Sequence, residues 1–169
     1  AALFSREAAS GRESDARHQA AAIVEPGEVT ALPGEGPLAG VCVLDLTRLL
    51  PGAFCTLILA ELGAEVVKVE DTMGGDYLRN VPPLRDGMGG AFYALNRGKQ
   101  SIALNLKDEQ ARAAFLRLAG DCQVVVESFR PGVLQRLGID YQALVAVNAE
   151  IVLCSITGYG QSGPLRDRA

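Results

Sequence analysis

The chain has 169 residues, of which 49% are hydrophobic and 21% charged. That is one domain's length with apolar content for a real core, and its 19 glycines and 8 prolines are too few for a collagen-like or wholly disordered chain. Sixteen basic against twenty acidic residues give a net charge of −4, which argues against a nucleic-acid binder and disfavours an anionic membrane surface.

Apolar stretches such as 53–60 fall far short of the roughly 20 residues of a spanning helix. The first residues lack the basic-then-apolar order of a signal peptide. Cys42, Cys55, Cys122 and Cys154 sit singly in apolar runs, and His18 is the one histidine. No zinc-type spacing exists, so the cysteines read as buried thiols of a cytoplasmic protein.

Residues 1–37 mix alanine, charge, glycine and proline without a sustained period, and read as a disordered leader. A transient helix over 8–22 would have no apolar stripe to bury, and His18 within it reads as solvated. From Leu38 the pattern becomes regular. The run VCVLDL (41–46) predicts a strand covered on both faces, 53–62 a helix closed by Gly63, and EVVKVE (65–70) a second strand. Strand, helix and strand make a right-handed βαβ unit with parallel strands. The long Gly/Pro-rich stretch 71–90 reads as a functional lid or a mobile loop.

A short strand is predicted at 101–104 and a helix at 108–119. Asp108 and Glu109 suit that helix's positive end, Ala111, Ala114, Phe115 and Leu118 form its buried face, and Gly120 ends it. QVVV (123–126) is a third buried strand. Pro131 suits the first position of a short helix closed by Gly138. Asp140 caps a helix over 141–147, Asn148 ends it, and 151–155 is another strand. The repeating order predicts an α/β domain with a mostly parallel, Rossmann-like sheet and flanking helices.

A dinucleotide fold places a ribose-binding acid where Glu70 closes the second strand, but it needs G-x-G-x-x-G after the first. The turn here is Thr47-Arg48-Leu49-Leu50-Pro51-Gly52, with one glycine. Gly52 then reads as relief of crowding at a helix start, and Glu70 as a solvated strand end. Asp45, inside a buried strand, is expected to pair with a backbone or hydroxyl donor.

The conspicuous cations are Arg97, Lys99 and Lys107 around one strand, then Arg130 and Arg136 beyond another. Guanidinium and ammonium groups at strand ends suit phosphates, since open α/β sheets bind ligands at that edge. Taken singly, each also fits a solvated surface charge.

The motifs PLAGVCVLDLTRLLPGAFCTLILAELGAEVVKVE, GGDYLR, NRGKQSIALNLK, VVVESFRPGVLQRLGI and ITGYGQSGP follow one another from residue 37 onward. In this order they resemble the family III CoA-transferases, which include formyl-CoA and carnitine-CoA transferases and share their fold with the α-methylacyl-CoA racemases. The resemblance implies that 38–169 is the N-terminal, CoA-binding part of that family's fold, truncated before its second half. It implies that Leu104, Asn105 and Lys107 lie along the CoA nucleotide and that Ser128, Phe129 and Arg130 line the adenine and diphosphate. Arg136 matches a phosphate-binding arginine, and Gly158 and Tyr159 fall at the pantetheine and thioester end.

An acyl-CoA and a carboxylic acid acceptor are the implied partners, with the CoA thioester as substrate and no permanent cofactor or metal. An interlocked homodimer is implied as well. In such transferases an aspartate carboxylate attacks the thioester, and the family's aspartate matches no position here, so no catalytic residue is assigned. A racemase, or a non-catalytic nucleotide-binding module, stands as the alternative. Asp71-Thr72 replaces a basic residue that many members carry after KVE. Leu49-Leu50-Pro51 replaces the polar first turn of formyl-CoA transferases.

Overall fold

The runs of Val, Ile and Leu become strands and the capped, alanine-rich stretches become helices in the computed structural model, which describes residues 36–168. In chain order these are β1 (Cys42–Leu46), α1 (Leu49–Glu61), β2 (Glu65–Glu70), β3 (Leu84–Arg85), β4 (Met88–Gly89), α2 (Gly90–Leu95) and β5 (Gln100–Ala103). Then follow α3 (Glu109–Asp121), β6 (Val124–Glu127), α4 (Val133–Leu137), α5 (Tyr141–Val147) and β7 (Val152–Ser155). Five strands form one sheet in the order β5-β2-β1-β6-β7, every pair parallel. Val43 of β1 is in register with Val66 on one side and Val124 on the other. The Rossmann-like α/β expectation holds.

Pleating sorts the core into two layers. Leu44, Leu46, Val69 and Val125 pack with Phe115 of α3, Leu134 of α4 and Leu144 of α5. Val43, Val66 and Val126 point the opposite way, toward Leu59 and Ala60 of α1. Among the described residues no helix is long and apolar enough to cross a membrane.

Several boundaries differ from the sequence reading. The first helix starts at Leu49 rather than residue 53, because a proline in the first turn removes an N–H that has no helical partner anyway. Gly52 is needed there: a Cβ on it would run into the Thr47 side chain. Gly63 takes the left-handed conformation (φ 99°) expected of it. Gly120 does not end α3, which runs on to Asp121, and the buried residues of α3 are Ala111, Phe115 and Ala119, with Leu118 turned to solvent. Pro131 lies in the turn before α4, whose cap is Gly132. α5 matches the expected bounds, with Asp140 accepting from Ala143 N–H at 3.1 Å.

The 71–90 stretch is not a plain loop. It holds a 3₁₀ turn (Tyr77–Asn80) and the antiparallel β3–β4 hairpin. Arg79 of the 3₁₀ turn pins it to the sheet through the Glu70 carboxylate and stacks 3.9 Å from the Phe92 ring centroid.

The four cysteines are not uniformly buried thiols either. Cys42 and Cys122 are joined as a disulfide, Cys55 is half-buried and Cys154 exposed. Burial first, then the neighbouring Cys154 and Asp45, push the Cys55 thiol up. The leader expected over 1–37 lies, apart from Gly36 and Pro37, outside the described residues, as do His18 and the 8–22 stretch. Gly36 lies against the end of α1, where Leu38 N–H donates to Leu62 O at 3.0 Å.

Candidate functional site

Because every strand is parallel, all five carboxyl ends meet at one edge of the sheet. β1 leads away to β2 on one side and has β6 on the other, so the crevice outside the ends of β1 and β6 is where such sheets take ligands. Thr47–Arg48 leaves β1 there and Ser128–Phe129 leaves β6. Arg48 N–H donates to Ser128 Oγ at 3.0 Å, tying the two exits together. The Arg48 guanidinium donates to Tyr77 Oη at 3.2 Å and Asp71 Oδ2 at 2.9 Å. It lies 5.5 Å from the Tyr77 ring centroid and 5.8 Å from that of Phe129, within cation–π range.

Beneath this edge lies a buried charge network. Asp45 is fully buried and saturated. Its Oδ1 accepts from Thr47 N–H at 2.9 Å and Thr47 Oγ1 at 2.6 Å, and its Oδ2 from Thr56 Oγ1 at 2.6 Å and Lys99 Nζ at 3.3 Å. Hydroxyl and backbone donors were expected; the lysine was not. Lys68 Nζ donates to Thr47 O at 2.9 Å and forms a buried ion pair with Asp76 Oδ2 at 3.0 Å. Asp76 Oδ1 accepts from Leu49 N–H at 3.2 Å. That contact helps hold Leu49 at φ 63°, a left-handed conformation that costs a branched residue about 1–2 kcal/mol. The β1–α1 turn is thus fixed by charged groups from β2 and the 3₁₀ turn.

This geometry takes one of the expected phosphate-binding cations out of reach. Lys99 points inward to Asp45, Thr56 Oγ1 (2.7 Å) and Ala53 O (2.9 Å), and burial lowers its pKa against the opposing pull of Asp45. Arg97 stays on the surface, where it pairs with Glu61 at 3.0 Å. Lys107 is exposed beyond β5 beside Asn105, whose Oδ1 accepts the Lys107 N–H at 3.3 Å. Leu104 is buried in the core, so only its backbone faces outward chemistry, and its N–H goes to Glu70 O. β5 is the sheet's edge strand, with β2 and β1 between it and β6, which at the usual strand spacing is roughly 14 Å. Leu104, Asn105 and Lys107 are therefore not gathered with the Ser128–Arg130 group.

Glu70 is not a solvated strand end. Oε1 accepts from Arg79 Nη2 and Ser101 Oγ, both at 2.6 Å, and Oε2 from Arg79 Nε at 2.7 Å and Asp76 N–H at 2.8 Å. Burial alone would raise its pKa. The Arg79 and Ser101 hydrogen bonds, the Asp76 N–H and the Arg79 charge outweigh it and hold the carboxyl at about 2. No lone pair remains for a ribose. Glu127, also buried, accepts from Phe129 N–H at 2.7 Å.

On the other side of β6 a cleft of about 250 Å³ is lined by Glu127, Arg130, Tyr141, Ser155 and Arg166 among others. Arg136, in the last turn of α4, has its guanidinium beside Gly132 of the same wall. Gly158 and Tyr159 lie in the exposed stretch after β7, whose continuation supplies Gln161 and Arg166 to the cleft. Sequence reasoning missed Arg48, Tyr77 and Arg166. Arg48 carried a usable signal, a cation in the β1–α1 turn, whereas Arg166 belongs to no strand end.

The sequence model of the family described as CoA-transferase family III matches residues 38–169. Acetyl-CoA:oxalate CoA-transferase of Acetobacter aceti is 44% identical over 82% of this chain and 36% of its own length. Human succinyl-CoA:glutarate CoA-transferase is 46% identical over 79% of the chain and 31% of its own. The crystal structure of a CAIB/BAIF family protein from Brucella suis superposes with a TM-score of 0.75 at 40% identity, covering 79% of this chain and 36% of that one. The chain spans about a third of the length of these relatives, and it belongs to CoA-transferase family III.

Proposed function

We propose that this chain is the N-terminal, CoA-binding part of an acyl-CoA:carboxylate CoA-transferase whose catalytic aspartate lies beyond Ala169. What supports the reading is that Ser128, Phe129 and Arg130 leave the carboxyl end of β6 in succession, with Arg130 lining the cleft and Arg136 beside Gly132 of its wall, in a chain whose relatives are named for CoA transfer between carboxylic acids. The guanidiniums hold phosphate oxygens, Phe129 and Arg48 offer flat faces to a purine, and Gly158 and Tyr159 lead toward the thioester. Leu104, Asn105 and Lys107 extend the contact along the nucleotide. Acyl-CoA and a carboxylic acid are the substrates, no resident cofactor is required, and the whole protein is an interlocked homodimer.

The apolar Leu49-Leu50 pair, where formyl-CoA transferases carry a polar turn, supports an acyl group other than formyl. A cytoplasmic location belongs to the same reading; it requires Cys42 and Cys122 to be held as thiols in the cell.

The reaction has a simple chemical demand. A carboxylate must reach the thioester carbon, fixed in place and partly desolvated, to form an anhydride and release the CoA thiolate. Arg136→Ala in the full-length protein tests the binding half. A charged hydrogen bond to phosphate is typically worth about 1.5–3 kcal/mol, so calorimetry is expected to show CoA affinity reduced by that amount. Unchanged affinity removes Arg136 from the site.

A further inference from the structure

Two guanidiniums, those of Arg136 and Arg166, approach one glycine backbone in the turn between β6 and α4. Gly132 is left-handed (φ 82°), and a Cβ placed on it would lie 3.4 Å from Arg136 Nη1 and 3.8 Å from Arg166 Nη2. Arg130, two residues earlier, lines the adjoining cleft together with Arg166. The three come from separate segments: the β6–α4 turn, the last turn of α4, and the stretch after β7.

Among the described residues none of the three forms an ion pair, whereas Arg48, Arg79 and Arg97 each hold a carboxylate. The acids of the cleft are turned to other uses. Glu127 accepts from Phe129 N–H at 2.7 Å, and Asp140 caps α5 through Ala143 N–H at 3.1 Å. Guanidiniums that hold no carboxylate keep their donors open to an anion that enters the cleft. The rigid fork of a guanidinium matches two oxygens of a phosphate ester, and three forks from three directions match a phosphate better than a flat carboxylate.

We infer that Arg166 is a further anion-binding residue, closing the Arg130 and Arg136 pair into a three-guanidinium clamp on a phosphate ester of the substrate. The inference rests on the CoA-binding reading of Arg130 and Arg136 and adds a residue from a different segment. Phosphate binding then also fastens the stretch after β7 against α4, so that the part of the chain carrying Gly158 and Tyr159 is drawn in by the nucleotide end of the ligand.

The test is calorimetry of the full-length protein, as wild type, Arg166→Gln, Arg136→Ala and Arg168→Gln, titrated with CoA and with dephospho-CoA. Arg166→Gln is expected to weaken CoA binding at least tenfold, with Arg168→Gln, an equal loss of net charge two residues away, unchanged. If dephospho-CoA binds wild type and Arg166→Gln alike, the clamp holds the 3′-phosphate. If the tenfold gap persists, it holds the diphosphate; either result supports the clamp. Arg166→Gln binding CoA like wild type while Arg136→Ala binds weakly overturns the role of Arg166 and leaves the CoA reading standing. Equal losses in Arg166→Gln and Arg168→Gln reduce the effect to net charge and also overturn it. A wild type that binds no CoA overturns both.

Discussion

Glu70 shows how a single side chain can decide the use of a strand end. Its four accepted hydrogen bonds lower its pKa from 4.5 to about 2. A carboxylate whose folded pKa is depressed adds stability that is fully present above the unfolded value and lost as pH falls through the folded one. The contribution is thus complete above about pH 5 and fades between 4.5 and 2. A shift of this size corresponds to roughly 3 kcal/mol. Glu70→Gln is expected to lower stability in urea unfolding at pH 6, by an amount that narrows at pH 3. A stability difference independent of pH would show that the carboxylate's charge is not what Arg79 recognises.

The elements were largely legible in the sequence, and the exceptions share a cause. β1, β2 and β6 are β-branched runs between turn residues, and α5 lies between a capping Asp140 and a closing Asn148, so local chemistry suffices. The start of α1 was hidden because Pro51-Gly52 reads as a break, although a proline is harmless in a first turn and Gly52 is there to admit Thr47. In the sequence Lys99 resembles a phosphate ligand, because nothing near it announces Asp45, 54 residues away. Arg166 was overlooked for the same reason: its partners are spatial.

α1 carries a further consequence at this scale. A helix apolar all round wants cover on both sides. Its inner face meets the sheet through Ala53, Thr56 and Leu57, while Leu50, Phe54 and Ile58, spaced four apart, are 61%, 52% and 45% exposed. The 169-residue chain is therefore expected to associate in light scattering, and the double variant Phe54→Lys/Ile58→Lys to associate less with its circular dichroism intact. A sharp monomer with cooperative unfolding for the unaltered chain would contradict this.

At the scale of the molecule, binding and bond-making are expected to separate. The carboxylates nearest the site are already occupied: Asp45 by two threonines and Lys99, Glu70 by Arg79 and Ser101, Glu127 by the Phe129 N–H. Carboxylates already committed to internal donors make poor nucleophiles, so the chain by itself is expected to be inert. Incubation with an acyl-CoA and hydroxylamine, followed by mass spectrometry, should show no hydroxamate on Asp45, Glu70 or Glu127. An adduct on any of them, with CoA released in step, would move the active site into this chain.

The strand order also has a meaning in time. β1 sits at the centre of the sheet, but its two neighbours are synthesised far apart: β2 follows after one helix, β6 only after the hairpin, β5 and α3. As the polypeptide leaves the ribosome, one edge of β1 finds its partner early, while the other stays bare until Val124–Glu127 has emerged. A bare edge beside Val43 and Leu44, with Asp45 its one charged residue, invites pairing with a second nascent chain. In the finished sheet that edge is sealed on both sides, so the hazard belongs to biosynthesis and not to the folded protein.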